Sequence, residues 1–314
     1  MPVPADPARQ EREHRRAAAR RRRRQRRVPA VLALAVAAGL LAYALSGSSP
    51  RRPARARLRQ TPVARTVAPA RPGATAALLR LPAQLPQRTV AVPILMYHRI
   101  GRVTPAMPPI TRALTVAPGV FAAQMEWLKA HGFHAITQRQ LYAALERGAG
   151  LPARPIMITF DDGYRDVLWN AAPVLSRLHL PATAYIITDR VSGPDPSFLT
   201  WPELVNLERH GVEIGSHTVH HWELTLLPSS VAQQELVLSR ATLERHLGHP
   251  VQWFAYPAGA EDARIVPLVR QAGYVLAVTT HGGDQQSAQH PFELHRDEVL
   301  RTTGVGGLAA MLGG

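Results

Sequence analysis

The chain contains no cysteine. That excludes disulfides, thiol nucleophiles and cysteine-based zinc sites. It leaves the compartment open, because many exported proteins carry no disulfide. Acidic residues are scarce at the N-terminus, where residues 1–88 hold only Asp6, Glu11 and Glu13 against 20 arginines. The remainder holds 17 basic and 19 acidic side chains, so the formal charge of +15 belongs to the N-terminal appendage. The near-neutral remainder has no charge surplus for a nucleic-acid groove, and no nucleic-acid partner is expected. Residues 9–27 are the one stretch where a basic nucleic-acid arm is conceivable.

A long uncharged run is present once. "RRRRQRR" (Arg21 to Arg27) precedes "VPAVLALAVAAGLLAYAL" (Val28 to Leu45), 18 residues without a charge. A helix of that length spans roughly 27 Å, close to the ~30 Å of a bilayer core. The arginines would stay cytoplasmic and everything after Leu45 would cross. This predicts a basic cytoplasmic tail over 1–27 and a single-pass transmembrane signal-anchor over 28–45. The protein is then placed at the cytoplasmic membrane with its C-terminal part extracytoplasmic. Cleavage at Ala42-Tyr43-Ala44 would instead give a secreted protein, but the apolar run is longer than a signal core of about 7–15 residues. Residues 46–88 are rich in Pro, Ala and Arg and lack a sustained apolar period, which predicts a disordered linker.

From Val90 the pattern changes. "TVAVPILMYHRI", "HAIT", "PIMITF", "PATAYIIT", "VEIGSH", "QWFAYP", "YVLAVTT" and "FELHRDEVL" read as strands. Helical stretches separate them, among them "QRQLYAALERG", closed by Gly148, and the long "SSVAQQELVLSRATLERHLG". Strict alternation argues for a parallel α/β architecture. Seven or eight units fit a distorted (β/α)7-8 barrel better than an open sheet. Barrel active groups sit at the C-terminal ends of strands, and His98, Asp161, Asp162, His217 and Tyr256 fall there.

Two of those strand ends suit a metal. His217 and His221 in "SHTVHH" are four apart, so one turn can aim both at one ion. On its own the pair is equally two surface histidines, and one Asp of Asp161-Asp162 is equally a helix cap. Taken together, two imidazoles and one carboxylate give three ligands with positions left for water and substrate. The second Asp stays free to move protons, and Gly163 allows the tight turn. Zinc is favoured for this donor set, with cobalt, nickel, manganese or iron(II) also fitting.

"TFDDGY", "SHTVHH" and "FAYPAG", in that order, resemble the polysaccharide deacetylase family, carbohydrate esterase family 4, over about Val90 to Arg301. The resemblance implies a deacetylase domain over 89–314 that removes acetyl groups from glycans with a divalent metal. It implies Asp161 as general base, Asp162, His217 and His221 as metal ligands, and the backbone N–H of Tyr256 as oxyanion donor. A late Leu-hydrophobic-His motif is absent. "LMYHRI" instead looks like exopolysaccharide-type members, which makes His98 the general acid; an imidazole titrates near neutrality and suits that task. The Arg that normally precedes the third motif is also missing, and Arg296 is the candidate to replace its charge beside Asp161. Trp201 and Trp222 are candidates for a sugar platform. The expected substrate is a polysaccharide containing N-acetylglucosamine, a peptidoglycan or an exopolysaccharide. An O-acetylxylan esterase and a non-catalytic glycan-binding protein of the same fold are the alternatives.

Overall fold

The computed structural model of the chain describes residues 78–313. Its centre is an eight-stranded sheet. Along one path the order is β10 (Leu276–Val278), β9 (Trp253–Ala255), β8 (Val212–Ser216), β7 (Ala182–Ile186), β6 (Pro155–Phe160), β2 (Ile94–Tyr97) and β12 (Asp297–Glu298), and β5 (His134–Ala135) also pairs with β6. Every pairing in this sheet is parallel. The sheet curls like part of a barrel. Leu294 bridges Val278 of β10 in parallel, while Asp297 and Glu298 pair with Leu95 and Met96 of β2. One stretch of chain thus meets both edges of the sheet.

The strands read as continuous apolar runs because both faces are buried. Leu95, Tyr97, Ile156, Ile158 and Phe160 face an outer layer of helices and share a core cluster with Phe121, Met125 and Leu128. Those three lie on α2 (Pro118–Ala130), which follows the short α1 (Pro109–Ala113). Ile94, Met157, Tyr185, Trp253, Ala255 and Val278 fill the inner face. The two sets alternate along each strand, as the period of two requires. Gly215 is needed on this inner face, because a Cβ there would lie 2.5 Å from the Tyr185 ring.

Helix ends follow local chemistry. Thr137 and Gln140 form a capping box at the start of α3 (Gln138–Arg147), which ends on Gly148 at φ 69°. Thr200 and Glu203 repeat the capping box on α5 (Trp201–Arg209). The stretch "YRDVLWNAAPVLSRLH" divides into a π-turn over Val167–Ala171 and α4 (Ala172–Leu178). The π-turn ends immediately before Ala172-Pro173, where proline supplies no N–H for a regular helical ladder. The predicted last strand is much shorter than its nine-residue stretch, only Asp297–Glu298 with the bridge at Leu294. An antiparallel pair of β1 (Thr89–Ala91) and β11 (Gln285–Ser287) joins two segments far apart in sequence, and β3 (Arg99–Ile100) pairs in parallel with β4 (Thr115–Val116).

Two expectations need correction. The linker predicted over 46–88 extends too far. Leu79 is buried and exchanges hydrogen bonds with the Gln252 side chain at 2.8 Å in both directions. Arg88 donates to the carbonyl of Leu145 at 2.7 Å, so residues 78–88 pack on the domain. The membrane location is also corrected: among the described residues no helix is long and apolar enough to cross a membrane. The longest of them, α6 (Ser229–Leu247), has 19 residues and carries Glu235, Arg240, Glu244 and Arg245. The segments 1–27 and 28–45 that prompted the expectation lie outside the described residues.

Candidate functional site

Asp161 continues the inward row of β6 after Met157 and Thr159, and it is 2% exposed. In extended chain Asp162 would point to the opposite face. It adopts φ 75° instead, followed by Gly163 at φ 83°. Asp tolerates the left-handed region better than most residues. The turn swings the Asp162 carboxylate to the inner side. Gly163 is enforced twice over, by its φ and by Ile186, whose Cδ1 would lie 3.3 Å from an added Cβ. Its lack of a side chain therefore accommodates Ile186.

His217 follows the last residue of β8 and is 2% exposed. Its Nδ1 hydrogen bonds to the Ala255 carbonyl at 2.8 Å. A carbonyl only accepts, so Nδ1 carries the proton and Nε2 presents a lone pair. That Nε2 lies 3.7 Å from Asp162 Oδ1, and Nε2 of His221 lies 3.5 Å from the same oxygen. The three ligand atoms lie within 4.8 Å of one another, the spacing of groups able to hold one ion. The His221 side chain is 38% exposed, which leaves one side of the cluster open to water and substrate. Burial pushes His217 down to about 3 and lowers His221 as well, which favours the neutral imidazoles that metal ligation needs. Burial, partly opposed by His98 and reinforced by the charge of Asp161, pushes Asp162 up to about 6. A cation is the natural partner for a carboxylate so placed. The residues fit a single divalent ion, though which ion is not fixed by them.

Asp161 is held differently. Arg296, 1% exposed, donates a forked pair of hydrogen bonds to its two oxygens, both at 2.8 Å. Arg296 is itself fixed by the Thr159 hydroxyl at 3.2 Å and the Thr279 carbonyl at 2.8 Å. Burial opposes ionisation of Asp161, but the guanidinium overrides it and holds the carboxyl well below the usual carboxylate range. The candidate replacement for the missing motif arginine thus pairs with Asp161, delivered by the stretch of chain that meets both sheet edges.

His98 ends up alongside. The N–H of Asp161 donates to the carbonyl of Tyr97 at 2.9 Å, which sets the end of β2 beside the end of β6. Asp161 and Asp162 both lie within electrostatic reach of His98. Its Nδ1 is buried without a hydrogen-bond partner among the described residues, so its ring is not tied down as a structural histidine would be.

Tyr256 does not take the expected place. Its backbone N–H donates to the Val278 carbonyl at 3.2 Å, continuing the ladder between β9 and β10. Its ring is fully buried among Phe254, Tyr274 and Ile265. The turn after it exposes Ala258, at φ 57°. Trp201 stacks on His246 at 3.7 Å, helix against helix, and packs on the outer core. Trp222 is 43% exposed and stacks on His220 at 4.4 Å.

Glu235 carries no motif that marks it in the sequence. This residue sits on the buried face of α6 with Ala232, Leu236, Ser239 and Leu243. Its Oε2 accepts the N–H groups of Val219 and His220 at 3.1 and 2.9 Å, and its Oε1 meets His220 Nδ1 at 2.6 Å. It therefore braces the loop between His217 and His221, where Thr218 and His221 take positive φ. It also pins His220 away from Asp162. The available signal was a carboxylate on the apolar stripe of a helix.

Comparison with known proteins agrees with this geometry. Residues 148–277 match the family model described as polysaccharide deacetylase. YxkH of Bacillus subtilis, assigned as a polysaccharide deacetylase, is 29% identical over 213 residues, covering 68% of this chain and 73% of its own. The poly-beta-1,6-N-acetyl-D-glucosamine N-deacetylase of Staphylococcus epidermidis is 28% identical over 232 residues, covering 66% and 80%. Among solved structures, the Streptococcus pyogenes deacetylase PplD in complex with acetate superposes with a TM-score of 0.66 at 27% identity, covering 72% of this chain and 99% of that one. Residues 148–277 thus form a polysaccharide deacetylase domain, and its likeness to proteins named as N-deacetylases supports a hydrolase acting on amide bonds.

Proposed function

We propose that this hydrolase removes N-acetyl groups from a polysaccharide containing N-acetylglucosamine, using one divalent cation, zinc by preference, held by Asp162, His217 and His221. The observation that carries the reading is the convergence of those three side chains next to an Asp161 that a buried arginine keeps ionised. Similarity to a deacetylase of poly-beta-1,6-N-acetyl-D-glucosamine supports the substrate class. A cation bound there supplies Lewis acidity, lowering the pKa of water and polarising the acetyl carbonyl.

The chain's own residues then divide the proton work. Asp161 takes the proton from the attacking water, and Arg296 holds it in one orientation. His98 gives a proton to the leaving amine. Tyr256 cannot offer its N–H to an oxyanion, since that group is used in the sheet. We assign the donor role to the exposed turn at Ala258, three residues beyond the carbonyl that orients His217. A binding protein without catalysis has no use for a free ionised carboxylate beside a metal ligand.

The test is acetate release from β-1,6- and β-1,4-linked N-acetylglucosamine oligomers, peptidoglycan and acetylxylan, before and after chelation. Release from the N-acetylated substrates is expected to fall to background on metal removal. It is expected to return with one equivalent of zinc or cobalt. Faster release from acetylxylan would favour the O-acetyl esterase reading, and unchanged release after chelation would remove the metal from the mechanism.

A further inference from the structure

Beside Asp162 the chain forms a groove of about 390 Å³, lined among others by Arg99, Met107, Tyr164, Arg190, Asp195 and Phe198. That volume lies in the range of small-molecule sites. One wall grows directly out of the "DDGY" turn. Tyr164 bridges antiparallel to Phe198, the Arg165 N–H donates to Ser197 O at 2.7 Å, and the Leu199 N–H donates to Gly163 O at 3.1 Å. The loop that lines the groove and the turn that carries Asp162 are therefore one hydrogen-bonded unit. The rings of Tyr164 and Phe198 stack at 4.7 Å, with Arg99 4.7 Å from the first ring and Arg190 5.6 Å from the second. These contacts hold flat groups in fixed positions, so little conformational entropy is left to lose on binding.

The charges in the groove balance locally. Arg99 Nε is committed to Asp166 at 2.7 Å. Arg190 is exposed, and its positive charge acts on Asp195 within the groove and on Asp162 and His221 at the metal cluster. A guanidinium and a carboxylate lining one groove offer donors and acceptors for ring hydroxyls, and their opposite charges do not select an acidic sugar. Aromatic edges suit the apolar C–H surfaces of a pyranose.

We infer that this groove seats the neutral pyranose unit next to the one that reacts, with Arg190 and Asp195 reading its hydroxyls. The inference rests on the deacetylase reading, and its test keeps the two apart. Zinc-loaded Asp161→Asn protein is titrated calorimetrically with an N-acetylglucosamine pentamer and with the monosaccharide, with and without Arg190→Ala. Pentamer binding is expected to weaken about tenfold without Arg190, the loss of one good charged hydrogen-bonding contact. Binding of the monosaccharide, too short to span both sites, is expected to weaken far less. In the otherwise unaltered enzyme, Arg190→Ala is expected to raise KM for the pentamer by a similar factor, the effect falling on KM more than on kcat. Arg190→Lys, which keeps the charge but not the planar fork, is expected to recover only part of it. Equal pentamer affinity with and without Arg190 would overturn the inference. So would a matching loss of zinc affinity in Arg190→Ala, because Arg190 would then act through the metal ligands. Wild-type enzyme that releases no acetate would overturn the deacetylase reading instead, and the calorimetric titration would still report on the groove.

Discussion

Asp161→Asn is expected to lower acetate release by about 10²- to 10⁴-fold while zinc binding stays near that of the unaltered protein. The change is nearly isosteric and removes the one group assigned to accept the proton of the attacking water. It leaves Asp162, His217 and His221 untouched, so the cation keeps its ligands. The substitution carries a second consequence. An amide can accept only one branch of the Arg296 fork, and its NH2 faces the other donating nitrogen. The melting temperature is therefore also expected to drop, and kinetics belong well below it. Retention of more than about a tenth of the activity would place the proton acceptor elsewhere.

Arg296→Ala is expected to be among the most damaging substitutions for stability. It leaves Asp161 buried without its partner, and breaking such a pair costs roughly 3–5 kcal/mol. For a domain of this size that lowers the melting temperature by about 10 °C. The pH dependence changes sign. In the intact protein the Asp161 pKa is depressed, so its contribution is present above the ordinary carboxylate range and constant from pH 5 to 9. Without the guanidinium, burial raises that pKa. The variant should then lose stability as pH rises through the raised value, and the acid limb of its activity profile should move to higher pH. Arg296→Lys restores charge without the fork and is expected to fall between the two. Melting curves at pH 5 and pH 8 check this. A variant that melts within about 2 °C of the unaltered protein at both would show that the ion pair contributes little.

The architecture was legible because each strand of the central sheet carries its own sequence signal. Runs such as "PIMITF" are apolar throughout, which is how a strand buried on both faces reads. The site motifs were legible for a related reason, since each occupies the end of one such strand. Arg296 was reachable as the charge missing from the third motif. What escaped depends on partners distant in sequence. Nothing local in "FAYPAG" tells that the Tyr256 N–H is used by Val278, which decides against an oxyanion role. Glu235 becomes meaningful only when α6 packs beside the 217–221 loop. Residues 78–88 look like linker because their order comes from Gln252 and Leu145, not from any period of their own. The shortened final strand reflects its place between two edges, where Arg296 turns inward to Asp161.

The most direct measurement is a zinc titration of four proteins: unaltered, Asp161→Asn, Asp162→Asn and His221→Gln. One equivalent of tightly held metal is expected for the first two, and no stoichiometric binding for the last two. Loss of the ion in Asp161→Asn together with its retention in Asp162→Asn would reverse the division of labour between the paired carboxylates, and the mechanism built on it would not stand.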